Sequence, residues 1–386
     1  MRKTLTMLTL AAGVAGSFLA APAARAEIVI GFVTSLSGNG SSIGIPYGRG
    51  INAAYEYKKT VGGETIRLIQ LDDGSDPSAA TRNARKLVEE EKVDLLIGTA
   101  TAPSTIAMAA VASELKVPMI AISPIGKLPE SPEQWVISVP QPASLLVKIV
   151  ADRMKRDGMK NIGYIGFSDA WGDLVYNGAK AAEPIDDIKI QTNERYARTD
   201  TSVTAQILKV MSPRPDAVLI GGSGTQGALP LLTLAERGFK GNTYGTVALV
   251  NPDFVTVGGK AAEGIQVSAG PVIVAEQLPD EHFAKKIALD FRTVYQKTHN
   301  IPTTDGFSAY SFDAWLIFAN AAERALKTAK PGTAEFHTAL RDAILSTKEL
   351  AGVHAVYNFK PGAVTGVDER ALVVVRLTGG AWKYAP

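Results

Sequence analysis

Short apolar runs alternate with amphipathic stretches from Glu27 to about Ala269. The runs that read as strands are Ile28–Val33, Thr65–Leu71, Val93–Ile97, Met119–Ile122, Trp135–Val139, Ile162–Phe167, Ile188–Tyr196, Ala217–Ile220, Thr243–Val247 and Ile265–Ser268. Most are nearly continuous Val, Ile and Leu, the pattern of strands buried on both faces of a parallel sheet. Between them lie helical stripes. Ala80, Ala84, Leu87 and Val88 form one, opened by Asp76 as N-cap with Pro77 at the first helical position. Val203, Ile207, Val210 and Met211 form a second, and Phe283, Ile287, Phe291 and Val294 a third. This strand-helix alternation predicts an α/β fold of parallel sheets with helices on both faces.

The rhythm breaks after about Ala275. Two long helices are expected near Asp280–His299 and Gly306–Lys327, a shorter one near Ala334–Ser346, and late strands at Ala355–Phe359 and Leu372–Leu377. A second βαβ set restarts near Ile162, after a segment holding Pro124, Pro129, Pro132, Pro140 and Pro142. The expectation is two doubly wound parallel-sheet lobes joined by a hinge. Residues 27–143 and 271–351 form the first, and 144–270 and 352–386 the second. The late helices return to the first lobe and the last strands to the second. Crossings fall near Pro140–Ala143, Gly270–Pro271 and Ala351–Gly352, and a ligand would sit in the cleft between the lobes.

The first 26 residues read as an address rather than as structure. Arg2 and Lys3 precede an uncharged stretch from Leu5 to Ala20, and Ala24-Arg25-Ala26 ends it with small residues at the two positions a signal peptidase reads. A signal peptide at residues 1–26, cut before Glu27, is expected; the run is short and rich in Thr, Gly and Ala, which disfavours a membrane anchor. The chain has no cysteine, so it offers no disulfide and no lipid-modified N-terminal Cys. A free periplasmic monomer follows as the expectation. Without Arg2, Lys3 and Arg25, the 40 basic residues become 37 against 38 acidic ones, a net charge near −1. No basic stripe argues for nucleic acid or anionic lipid as a partner.

Catalytic and cofactor motifs are thin. Gly222-Ser223-Gly224-Thr225-Gln226-Gly227 matches GxGxxG after a strand and before a helix, but the next strand, Thr243-Tyr244-Gly245-Thr246-Val247, lacks the acidic residue a dinucleotide site uses. A strand-to-helix turn lining the cleft is the better reading, with an exported NAD-type oxidoreductase as the competing one. Gly126-Lys127 and Gly259-Lys260 lack the upstream glycine of a Walker loop, and Thr225 stands where a nucleophile elbow around Ser223 needs glycine. His282, His299, His337 and His354 show no metal-ligand spacing. Asp72-Asp73-Gly74-Ser75-Asp76 reads as a strand end leading into a helix cap. No enzyme, no metal and no cofactor is expected.

The segment Thr99-Ala100-Thr101-Ala102-Pro103-Ser104-Thr105 is more informative. It follows a strand and opens a helix. Hydroxyls flank backbone N–H groups that a helix start leaves without intrahelical partners, those of Ser104 and Thr105, which suits a carboxylate.

At this point the chain resembles the periplasmic leucine/isoleucine/valine-binding proteins, the type I solute-binding fold of branched-chain amino acid importers. The stretches that carry the resemblance are Val29-Ile30-Gly31 through Ser37-Gly38, Asp72 to Pro77, Val93 to Gly98, Pro118 to Pro124 and Ser168 to Gly172. The resemblance implies a binding component that hands its ligand to ABC permease and ATPase subunits, or a sensor built on the same clamp. It puts the family's carboxylate-binding Ser/Thr loop on Thr101 and Ala102, the following loop on Ile125-Gly126-Lys127, and the cleft aromatic on Trp171. Further family aromatics fall on Ser223 and Ile43, where they are lost. The acid that pairs an α-ammonium falls on Val247. An unpaired buried ammonium is very costly. The expected ligand is therefore an aromatic or other apolar carboxylate without an α-amino group, its ring meeting Trp171 and Tyr310; a branched-chain amino acid is the alternative. Trp135 to Gln141 and Phe307 to Trp315 resemble the family's aromatic-acid branch.

Overall fold

The computed structural model describes residues 27–303 and 305–385; the expected signal peptide lies outside them. The first sheet contains β1 (Ile28–Thr34), β2 (Thr60–Val61), β3 (Glu64–Asp72), β4 (Leu95–Gly98), β5 (Met119–Ala121) and β6 (Val136–Ser138), in the order β2-β3-β1-β4-β5-β6. All neighbours are parallel except β2 on β3. In β1, Ile28, Ile30 and Phe32 enter one core layer, while Val29 and Val33 enter the other. This is why the strand reads as an unbroken apolar run. Helices α1 (Ser41–Tyr57), α2 (Pro77–Glu89) and α3 (Ala102–Leu115) follow β1, β3 and β4, with α2 packed on α3. The Asp76 side chain accepts the Ala79 N–H at 2.6 Å and caps α2 as its sequence foretold.

The second sheet holds β7 (Asn161–Phe167), β8 (Lys189–Ile190), β9 (Glu194–Tyr196), β10 (Ala217–Gly221), β11 (Asn242–Thr246) and β12 (Gln266–Ala269). Its helices are α4 (Ala143–Arg156), α5 (Ala170–Asp186), α6 (Thr204–Met211), α7 (Leu229–Glu236) and α8 (Pro252–Ala262). Alternation along β7 again serves two layers: Gly163 abuts Val210 of α6, and Tyr164 meets Tyr176 of α5. The chain then returns to the first lobe as α9 (Lys285–His299), α10 (Phe307–Ala325) and α11 (Ala334–Leu345), the first two packed on α1 and the third on α10. It ends with β13 (Leu350–Ala351), β14 (Val356–Tyr357), β15 (Val373–Thr378) and β16 (Ala381–Tyr384). β15 and β16 extend the second sheet antiparallel beyond β12.

The structure corrects several expectations. The run 188–196 is two short strands, because Thr192 between them exchanges side-chain bonds with the Tyr164 backbone, accepting its N–H at 2.9 Å and donating to its carbonyl at 3.1 Å. The run 135–139 shortens to β6. The helix expected from Asp280 starts at Lys285; the turn before it is held by the Ala284 N–H on His282 Nδ1. The late strand 355–359 does not join the second sheet. Its core is β14, which pairs with β13 as a separate ribbon. The segment beyond it reaches the first sheet's edge, where the Ser138 N–H donates to the Val364 carbonyl at 2.8 Å.

Candidate ligand-binding cleft

In each sheet the strand order reverses direction next to the first strand, at β1 and β4 in one and β7 and β10 in the other. Ligands of open α/β sheets sit outside the carboxyl ends of strands at such points. Here the loops beyond both pairs enclose a narrow cavity of about 40 Å³. The first lobe lines it with Ile43, Tyr47, Ala100, Thr101, Ala102, Ser123, Phe307 and Tyr310, and the second with Leu146, Trp171, Arg198, Ser223, Val247 and Ala248. Pro124 and Pro140 complete the wall. The clamp is closed over it: the Thr225 N–H of one lobe donates to Ser42 Oγ of the other at 3.3 Å.

On the first lobe Thr101 caps α3. Its Oγ1 accepts the Ser104 N–H at 3.4 Å and donates to Ser104 Oγ at 3.1 Å. The expectation that the N–H groups of Ser104 and Thr105 have no intrahelical partner fails for Thr105, whose N–H reaches the Thr101 carbonyl at 2.9 Å. The Thr105 hydroxyl donates to the same carbonyl at 2.8 Å and accepts the Thr99 N–H at 3.2 Å. Ser104 and Thr105 are thus consumed in holding the loop, and neither lines the cavity. What faces the cavity is Thr101, Ala102 at the helix start, and Ser123, whose hydroxyl has no hydrogen bond among the described residues. Ile125 and Lys127 turn away and line an outer groove with Leu174 and Asn177 of α5; Lys127 is exposed.

On the second lobe Asp169 caps α5, accepting the N–H groups of Trp171 at 2.9 Å and Gly172 at 3.3 Å. That places Trp171 in the first helical turn, its indole N–H on the Gly222 carbonyl at 3.2 Å and its ring on the cavity wall. Arg198 is a cavity residue that sequence reasoning missed. Its Nε donates to Asp169 at 2.6 Å and its Nη1 to Ser223 Oγ at 2.9 Å, and the guanidinium lies 4.1 Å over the Phe167 ring. The side chain is 11% exposed. Of the five N–H donors of a guanidinium, those two bonds leave donors free to meet a ligand. The signal was available: Arg198 lies two residues past the carboxyl end of the predicted 188–196 strand. Arg198 is the one charged side chain among the described cavity-lining residues; its carboxylate partner, Asp169, is not one of them. Val247 is buried in the wall, and Asp253 is exposed on α8.

A profile of the periplasmic binding protein family matches residues 27–379. The chain belongs to that family. This periplasmic binding protein is 26% identical over 359 residues to the Leu/Ile/Val-binding protein BraC3 of Rhizobium johnstonii, covering 90% of this chain and 91% of the relative. The solved structure of Rp1789 from Rhodopseudomonas palustris is similar at 40% identity and a TM-score of 0.88, covering 93% of this chain and all of that one. A solute-binding protein of an R. palustris ABC transporter, solved in complex with benzoate, is similar at 20% identity and a TM-score of 0.76, covering 93% and 95% of the two chains. The family binds small molecules for ABC importers and is one of solute-binding proteins rather than enzymes.

In this binding protein the GxGxxG segment serves packing. A methyl at Gly222 would meet the Tyr196 hydroxyl and one at Gly227 would meet Leu249. Gly224 adopts φ +56°, and a methyl there would stand 2.4 Å from Ser42 Oγ across the cleft. Among the described residues no cluster of three or more His, Cys, Asp or Glu is placed to hold a metal, and no helix is long and apolar enough to cross a membrane.

Proposed function

We propose that the cleft captures an aromatic or otherwise largely apolar monocarboxylate in the periplasm and delivers it to ABC permease and ATPase subunits. The observation that carries this is the set of side chains on the cavity wall: one guanidinium, held from behind by Asp169, with hydroxyls and no carboxylate among them. Thr101 and Ser123 from one lobe and Arg198 and Ser223 from the other supply charge-assisted hydrogen bonds to an anion. Trp171, Tyr47, Phe307 and Tyr310 supply flat faces for a ring. The similar benzoate-bound protein supports this ligand class. The name of the rhizobial relative favours branched-chain amino acids instead, but the ammonium of such a ligand would meet Arg198 and Val247.

The test is a thermal-shift and calorimetric panel of benzoate and cinnamate against leucine, isoleucine and valine. The expected result is stabilisation by the aromatic acids. Strong stabilisation by leucine with none by any aromatic acid overturns this ligand class.

A further inference from the structure

We propose that His354 is a positioning residue for the ligand: stacked behind Tyr310 at the hinge, it holds the clamp closed while neutral and releases it when protonated. This deepens the solute-capture reading and rests on it. His354 is fully buried where the inter-lobe crossings meet. Its ring lies 3.9 Å from that of Tyr310 with the planes 16° apart. Tyr310 lines the cavity, and its hydroxyl donates to the Gln141 side chain in the first crossing. Gln141 in turn donates to the Ala371 carbonyl, just before β15, at 2.9 Å. The second crossing brings Gly270 so close that a methyl there would stand 1.8 Å from His354 Nδ1. The third supplies His354 itself, whose backbone N–H donates to Asp313 at 2.9 Å.

The imidazole is committed on one side only. Nε2 bonds the Gly306 carbonyl at 2.9 Å, and Nδ1 is buried with no partner. As Nε2 donates, Nδ1 is the bare nitrogen that a proton would occupy. No neighbour is ready to accept from it. On α10, the Asp313 carboxylate already takes the N–H groups of Val353 and His354 and the Tyr357 hydroxyl of β14, and the Tyr310 hydroxyl is spent on Gln141. Gly270 and Gly306 bring backbone alone, and Val247, the side chain that reaches Gly306 from the second lobe, is apolar. A proton on Nδ1 is therefore a buried charge without an acceptor. Opening the crossings gives it water, so acid favours the open clamp and ligand release.

Burial pushes His354 down to about 4 from 6.5 in the closed form. With an ordinary value in the open form, affinity falls by up to about tenfold per pH unit across that interval. The experiment compares benzoate affinity at pH 7.5 and 5.0 for the wild type and His354→Gln. Protonation of benzoate and of Asp313 occurs in both proteins and cancels. The wild type is expected to lose about tenfold more affinity than the variant. A second readout needs no ligand. The chain has no cysteine, so Ser42→Cys with Thr225→Cys gives a disulfide whose yield reports closure. That yield should fall more steeply with acid in the wild-type background than with His354→Gln. Parallel profiles in the two backgrounds overturn the proposal. Absence of benzoate binding at pH 7.5 sinks the aromatic-acid reading instead, and the crosslink still decides the role of His354. His354→Met replaces the Gln variant if that one does not fold.

Discussion

Arg198 concentrates the recognition chemistry in one side chain, because its guanidinium reaches Asp169, Ser223 and the cavity together. Lysine has one compact ammonium in place of a planar fork and cannot keep these partners at once. Arg198→Lys is expected to weaken benzoate binding by about tenfold or more without a gain for leucine, as read by calorimetry; unchanged affinity would move the anion to Thr101. Thr101 has two duties, a helix cap and a cavity hydroxyl. Thr101→Val should cost about 1 kcal/mol of stability as a lost cap and a further roughly 1.5–3 kcal/mol of binding as a lost charge-assisted bond. Thr101→Ser should restore both. Loss of stability with no change in affinity would reduce Thr101 to its cap.

The elements matter through where they end. β4 runs into α3 and β7 into α5, each helix capped by a side chain at the cleft, Thr101 in one and Asp169 in the other. The turn after β10 is the counterpart that meets the opposite lobe. In Gly224→Ala the added methyl faces Ser42 Oγ at 2.4 Å and Ile43 Cγ2 at 3.2 Å, both on the far side of the cleft. The variant is expected to bind ligand weakly and to stay extended with ligand present in small-angle scattering. Its ligand-free form should lose only about 1 kcal/mol from the left-handed backbone position. Normal compaction on adding ligand would show that the contact is not needed for closure.

At the scale of the molecule, ligand binding should bring two rigid lobes together, and the radius of gyration should fall on adding a tight ligand. An unchanged radius would mean that the clamp does not open. The buried groups at the hinge also tie stability to pH. Burial pushes Asp313 up to about 7 from 3.8. Between those values the native state keeps a proton that the unfolded chain has released, so this contribution is full below about 3.8 and is lost as pH rises through 7. His354 works the other way: pushed down to about 4 from 6.5, it contributes fully above 6.5 and loses that contribution as pH falls to 4. The two oppose each other between pH 4 and 6.5. Urea unfolding should therefore show stability rising with pH across that window in Asp313→Asn, and falling from about pH 4 to 7 in His354→Gln. The same slope in both variants would rule out this pair as the source.

The sequence alone determined the class of fold, because strands such as β1 must be apolar at every position when helices cover both faces, and Val-Ile-Leu runs between amphipathic stripes have no other economical arrangement. It also determined the cap at Asp76, the place of Thr101 and Trp171 at strand ends, and the absence of an acid at Val247. Tertiary structure decided what local pattern does not encode. Arg198 enters the cavity because Asp169 and Ser223, distant in sequence, hold it there. Ser104 and Thr105 leave the cavity because their hydroxyls and N–H groups find nearer partners in the loop. The strand expected at 355–359 became a ribbon with β13 rather than part of a sheet, and His354, one of four unremarkable histidines in the sequence, became a buried wedge only once Gly270, Gly306 and Tyr310 closed around it. Hydrophobic period is a property of neighbours along the chain, whereas a site is made by residues that only the closed clamp brings into contact.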